Sequence, residues 1–310
     1  MPGESHRGEL PPLTGEEERT RDSLERYVRI LAEEIGERNL WRPGSLDRTA
    51  TFLEETLVDL GLPVDRQCFD SEDREVCNLE ARVASLGASD EIVVVGAHYD
   101  TVPGSPGAND NGSGVAALLE LARLLEAETL ARTVRLVAFV NEEAPFYHGP
   151  DMGSRRYARR CRERSDRITA MLSLETIAYY SDEEGSQSYP FPLGLFYPDR
   201  GDFIGFVGNL SSLSLVRKVV GSFRSHTRFP SEGTAAPAVI PGISWSDHWS
   251  FWQEGYPALM VTDTAPYRDP GYHTPGDTPG RLDFARTARV VHGLHRVVRD
   301  LADSGEPGDA

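Results

Sequence analysis

EIVVVGAHYD, residues 91–100, and the GANDNGSG turn that follows at 107–114 decide how this chain folds. The run from Ile92 to Ala97 is apolar without interruption, the pattern of a strand covered on both faces. Polar residues, His98-Tyr99-Asp100, follow at once. VAALLELARLLEA (115–127) then reads as a helix after the Gly-rich turn. Downstream the rhythm repeats. TVRLVAFV (133–140) is a second buried strand, Met152 to about Arg164 a helix, and ITAMLSL (168–174) a third strand. Strands are also expected at GLFYP (194–198), DFIGFVG (202–208) and PALMVTD (257–263), with helices near 210–225 and over 282–302. Upstream, Thr14 and Glu17 form a capping box, and Leu24, Val28, Leu31 and Ile35 recur at helical spacing. A second helix starts near Ser45 and stops at Gly61. Residues 63–69 and 77–85 pair as strands around the polar turn Asp70–Glu75. The alternation predicts an α/β fold, a three-layer α/β/α sandwich around a mixed, mostly parallel sheet. No composition break divides it. One domain over 14–303 is expected, with a loose Pro/Gly/Glu-rich tail at 1–13, a C-terminal tail at 304–310, and insertions at 181–201 and 229–244.

The 310 residues carry 32 Lys and Arg against 49 Asp and Glu, a net charge of −17, which disfavours nucleic acid and anionic membrane surfaces. No apolar run reaches the ~20 residues of a membrane span, and the first residues lack the pattern of a secretory signal. A cytoplasmic location is the expectation. Cys68 and Cys77 flank the first hairpin and are able to pair, but in a cytosol two reduced thiols are expected.

Ligands of open α/β sheets bind beyond the carboxyl ends of strands. Those ends carry His98 and Asp100 after the first buried strand, Glu142-Glu143 after the second, Glu175 after the third, and Tyr272-His273 in the loop after the last. Asp110 lies in the Gly-rich turn. So many carboxylates on one rim repel unless a cation neutralises them. Imidazole plus carboxylate without thiolate suits Zn²⁺. Two ions fit, with Asp110 bridging, His98 and Glu175 on one, and Glu143 and His273 on the other. Three carboxylates, two Zn²⁺ and one hydroxide sum to zero charge. Glu142 stays free as general base, and Asp100 reaches the other nitrogen of His98.

His98-Tyr99-Asp100, Gly107 to Gly114, Asn141-Glu142-Glu143, Ser246-Asp247-His248 and Gly271-Tyr272-His273 together resemble the zinc aminopeptidases of family M28 over roughly residues 45–300. The resemblance implies an eight-stranded mixed sheet, a co-catalytic zinc pair, removal of N-terminal residues from peptides with a free N-terminus, and a peptide after the bridging aspartate, Asp110–Asn111, that is often cis. Tyr272 and Asp247 are expected at the substrate. From their spacing alone, Tyr179, Tyr180, Phe251 and Trp252 are candidates for a pocket wall, with core as the favoured reading. Glu175 stands where the well-known aminopeptidases usually carry aspartate. Glutamate occurs there in some bacterial relatives and in glutaminyl cyclases, so a single-zinc, cyclase-like acyltransferase is the alternative. An M20-type carboxypeptidase or deacetylase also uses His-x-Asp and Glu-Glu, but its bridging aspartate lies farther from the first histidine. A metal-free, non-catalytic relative is the remaining reading.

Overall fold

The computed structural model describes residues 1–85 and 89–303; the expected 304–310 tail lies outside them. Eight strands form one sheet in the order β1-β2-β4-β3-β5-β8-β6-β7. The strands are β1 (Val64–Ser71), β2 (Arg74–Val83), β3 (Glu91–His98), β4 (Thr133–Phe139), β5 (Arg167–Glu175), β6 (Ile204–Gly208), β7 (Ser231–Ala235) and β8 (Ala258–Thr262). β4, β3, β5 and β8 run parallel, and β2 and β6 run against them. Among the described residues, seven α-helices flank the sheet: α1 (Gly15–Arg29), α2 (Ser45–Asp59), α3 (Gly114–Leu125), α4 (Gly153–Glu163), α5 (Leu213–His226), α6 (His248–Gln253) and α7 (Phe284–Asp303).

The larger core lies on one face, where α3 packs on β3, β4 and β5 and is itself covered by α1 and α7. This double cover explains why α3 is apolar nearly all round. The second core joins Val94, Val137 and Phe139 to Tyr157 of α4 and Phe251 of α6. Each fully buried Val or Leu in these strands stabilises by about 1.5–3 kcal/mol. β3 pairs with β4 on one side and β5 on the other, and the connections leave toward opposite layers. That switch point opens a crevice at the carboxyl ends.

Several expectations are corrected. Residues 194–198 form no strand; they belong to a loop with a short 3₁₀ turn, Leu193–Leu195, bracketed by Pro190, Pro192 and Pro198. The 229–244 stretch is not loop throughout. It contains β7, whose SEGTA sequence lacks an apolar alternation because the strand is an edge. The first hairpin turns on two residues, Glu72 and Asp73, both with positive φ, rather than on six. The 1–13 segment is docked: Ser231 N–H donates to Ser5 Oγ at 2.8 Å, and Arg224 donates to the carbonyls of Pro2 and Gly3. Cys68 and Cys77, directly opposite in the β1–β2 register, form a disulfide, so the reduced-thiol expectation fails. The arginine-rich α4 is largely ion-paired, with Arg155 to Glu254, Arg156 to Asp151 and Arg160 to Glu80.

Candidate active site

β3 ends on His98 and β5 ends on Glu175, so adjacent parallel strands bring the two side chains to one rim. His98 Nε2 is 3.3 Å from Asp110 Oδ1 and 3.3 Å from Glu175 Oε2. On the other side of Asp110, His273 Nε2 is 3.0 Å from Oδ2 and 3.4 Å from Glu143 Oε1. Two three-residue donor clusters therefore share Asp110, and a third group gathers His98, Glu142 and Glu143. His98, Asp110, Glu143 and Glu175 are buried, whereas His273 stands at the mouth with its side chain 38% exposed.

The Gly-rich turn places Asp110 by hydrogen bonds rather than by regular structure. Asn109 Nδ2 donates to Asp263, and its Oδ1 accepts from Ala178 N–H. Asn111 Nδ2 donates to the Leu174 carbonyl, and its Oδ1 accepts from Thr176 and Gly114 N–H. The Asp110–Asn111 peptide is cis. Gly107 has φ +63°, and a Cβ on Gly114 would lie 2.6 Å from the Leu174 carbonyl oxygen, so both positions require glycine. Thr176 and His273 also have positive φ, 47° and 56°, which is unusual for a β-branched residue such as Thr176.

Asp100 joins two strand ends. Its carboxylate accepts the N–H groups of Glu142 at 3.0 Å and Glu143 at 3.1 Å. The expectation that this carboxylate holds the His98 ring needs adjustment. His98 Nδ1 is 3.2 Å from the Asp100 carbonyl and 3.5 Å from its carboxylate, so the backbone is the nearer acceptor. An Nδ1–H tautomer leaves Nε2 free to face Asp110 and Glu175.

The cluster is electrostatically frustrated as it stands. Burial, aided by the Asp110 charge, pushes the Glu143 carboxyl up to about 8. Burial also raises Glu142 and Glu175, against the pull of His98. Burial works to lower both imidazoles but is outweighed. Glu175 and Glu142 hold His98 well above its ordinary value, and Asp110 and Glu143 raise His273 to about 10. His98 Nε2, Asp110 Oδ1 and Glu143 Oε1 are buried and have no hydrogen-bond partner. Ligands ~2.0–2.1 Å from a tetrahedral zinc stand about 3.3 Å apart, which matches the 3.0–3.4 Å spacings here. The imidazole–carboxylate spacings in each cluster fit a divalent cation.

The family model described as peptidase family M28 matches residues 80–298. The chain belongs to peptidase family M28. It is a metallopeptidase, a hydrolase of peptide bonds. This M28 peptidase is 40% identical over 283 residues to the uncharacterized protein YfbL of Escherichia coli, covering 88% of this chain and 86% of that one. It is 28% identical over 230 residues to leucine aminopeptidase 1 of Arthroderma otae, covering 70% of this chain and 56% of that protein. Among solved structures, BSAP, a zinc aminopeptidase from Bacillus subtilis, superposes with a TM-score of 0.73 at 17% identity, covering 96% of this chain and 97% of that one. A glutaminyl cyclase from Fimbriiglobus ruber gives 0.68 at 20% identity, covering 95% and 97%. At those identities the likeness is one of fold.

The remaining sequence expectations for the M28 site divide. Tyr272 stacks on the His273 ring, with centroids 3.8 Å apart, and borders an apolar cleft beside Glu175. Asp247 is 0% exposed, and burial raises its carboxyl to about 7. Phe251 is core, Trp252 donates to the Ala258 carbonyl, and Tyr179 and Tyr180 lie outside the cleft. Arg38 and Asp277 escaped sequence reading, and Ser246 was noted only within its motif, without a role. Arg38 is fully buried and donates to the carbonyls of Tyr99, Leu31, Gly36, Pro106 and Gly107, tying down the loop between His98 and Asp110. Asp277 accepts the N–H groups of Asn109 at 2.7 Å and Asp110 at 3.0 Å. Ser246 donates to Glu175 Oε2 at 2.7 Å and bonds Ser173 at 2.8 Å. A lone Arg, Asp or Ser far off in the chain has no periodic signal that marks such a role.

Proposed function

We propose that this M28 peptidase is a co-catalytic di-zinc aminopeptidase that removes the N-terminal residue of peptides with a free amino terminus. The observation that carries this reading is the pair of donor clusters sharing one aspartate. The names of similar proteins, zinc aminopeptidase and leucine aminopeptidase, support it. His98, Asp110 and Glu175 would hold one ion, and Asp110, Glu143 and His273 the other. When bound, such a pair lowers the pKa of water and polarises the scissile carbonyl. The chain's own residues do the rest. Glu142, outside the two clusters that share Asp110 although grouped with His98 and Glu143, takes the proton from the attacking water and returns it to the leaving amine. Asp100 keeps the Glu142-Glu143 backbone and the His98 ring in place. Acidic groups at the rim, Glu142 and Glu175 among them, hold the substrate ammonium.

The test is elemental analysis of metal-replete protein beside turnover of aminoacyl anilides and their N-acetylated counterparts. Two zinc ions per chain, loss of activity on chelation and poor cleavage of the acetylated substrates are expected. One zinc ion with cyclisation of N-terminal glutamine would replace this reading with that of a glutaminyl cyclase. Equal cleavage of free and acetylated substrates would point to an amidase or endopeptidase.

A further inference from the structure

α1, α3, α5 and α7 cover one face of the sheet; on the other, α4 packs against β2, and α6 against β5 and β8. Over β6 and β7 the cover on this second face is loop, from the 186–200 and 237–246 segments. A cleft of about 90 Å³ runs beneath that loop cover. Met260 and Thr262 of β8, Gly205 and Val207 of β6, and Glu232 and Thr234 of β7 form its floor. Gly205 stands opposite Thr262 and Glu232, and Val207 opposite Met260 and Thr234, so these six residues share one face of the pleat. Glu175 and Tyr272 also line it, so one end lies beside the candidate metal centre.

The cleft is long. From β5, which bears Glu175, to β7 is three strand spacings, roughly 14 Å. A leucine side chain spans no more than about one spacing, and an indole roughly one and a half. Its walls are aromatic. Tyr189 and Tyr197 face each other at 5.8 Å on the loop side, and Trp245 and Tyr267 stack at 6.3 Å and 11°. Ring faces of this kind favour a further ring through offset or edge contacts.

We infer that this cleft receives the side chain of the substrate's N-terminal residue and selects aromatic residues over leucine and alanine, with the 186–200 segment as its specificity determinant. The inference rests on the aminopeptidase reading. Glu232 does not turn the cleft into a site for basic residues. Burial raises its carboxyl toward the neutral form, and the Arg224 guanidinium already lies 3.9 Å away. Tyr197 holds the loop to the floor by bonding the Gly233 carbonyl and the Thr234 hydroxyl, so loop and floor act as one wall.

The experiment measures kcat/KM of the zinc-loaded enzyme on alanine, leucine, phenylalanine, tryptophan and lysine 4-nitroanilides. Calorimetric binding of free L-tryptophan and L-alanine accompanies it. Phenylalanine and tryptophan should exceed leucine several-fold and alanine at least 100-fold. Val207→Trp, which fills the floor, should lower the phenylalanine-to-alanine ratio at least tenfold. Tyr197→Ala, which removes a roof ring from a surface loop, should lower it as well. Circular dichroism checks that both variants fold. If no free anilide is cleaved, yet L-tryptophan binds at least tenfold more tightly than L-alanine and Val207→Trp abolishes that preference, the aminopeptidase reading fails and the cleft assignment stands. Leucine, alanine or lysine as the best substrate, or a ratio unchanged in both variants, overturns the inference.

Discussion

Glu142 and Glu143 are neighbours in the chain with different surroundings, and that difference is testable one residue at a time. Glu143 Oε1 faces His273 Nε2 at 3.4 Å in a cluster that includes Asp110, whereas Glu142 Oε2 stands 3.9 Å from His98 Nε2 and belongs to neither cluster that shares Asp110. Glu142→Gln keeps the shape and removes the proton acceptor. Zinc content should stay at the wild-type value while turnover falls roughly 10²–10⁴-fold. Full turnover in this variant would remove Glu142 as the base. Glu175 carries a second prediction. Its Oε2 accepts from Ser246 at 2.7 Å and faces His98, so one oxygen is committed to the cluster and the longer arm is braced. Glu175→Ala should weaken one of two zinc sites in a competition titration with a chromogenic chelator and leave the Asp110–Glu143–His273 site nearly intact. Unchanged affinity at both sites would mean that the His98 cluster has another third ligand.

The first hairpin is the element on which sequence reasoning and structure diverge most. Its cystine joins residues nine apart at directly opposed positions of β1 and β2. Closing so short a loop in the unfolded chain contributes about 2–3 kcal/mol. Cys68→Ser with Cys77→Ser should lower the denaturation midpoint accordingly, read by urea titration under non-reducing conditions. A midpoint equal to wild type would show that the thiols are reduced in solution. Cystines persist in oxidising compartments, so this element removes support from the cytoplasmic expectation. The hairpin also meets the site: Tyr99, between His98 and Asp100, donates its hydroxyl to the Cys77 carbonyl at 2.7 Å.

At the scale of the whole molecule, the candidate metal centre is a point of tension in the fold. Asp110, Glu142, Glu143 and Glu175 converge on a few ångströms of buried volume at the meeting of β3, β4 and β5. Bound cations would neutralise them only in the native state and so stabilise it. At 1,000 times the dissociation constant that linkage is about 4 kcal/mol. Zinc-replete protein should therefore melt roughly 5–15 °C above chelated protein in differential scanning calorimetry. A melting temperature indifferent to chelation would deny that the cluster binds metal in the folded state. No helix among the described residues is long and apolar enough to cross a membrane. Much of this architecture was legible in the chain itself. The apolar runs of β3, β4, β5 and β8 mark strands buried on both faces, and the polar residues that end β3 and β5, with those that follow β4 and β8, mark the rim, because both signals are local. β7 and the docked N-terminal segment were not legible, since an edge strand and a tail held by single hydrogen bonds need no apolar period. Arg38 and Asp277 were hidden, and so was the role of Ser246: each acts mainly through partners more than sixty residues away. The sequence by itself determined the strand–helix order and which residue types stand at the strand ends, because hydrophobic period and local turn chemistry act over a few residues. Only the tertiary structure decided which donors share Asp110, that Asp247 is enclosed, that Cys68 meets Cys77, and that loop rather than helix roofs the cleft. Those outcomes depend on strand order and register, which are settled by packing between segments distant in the chain.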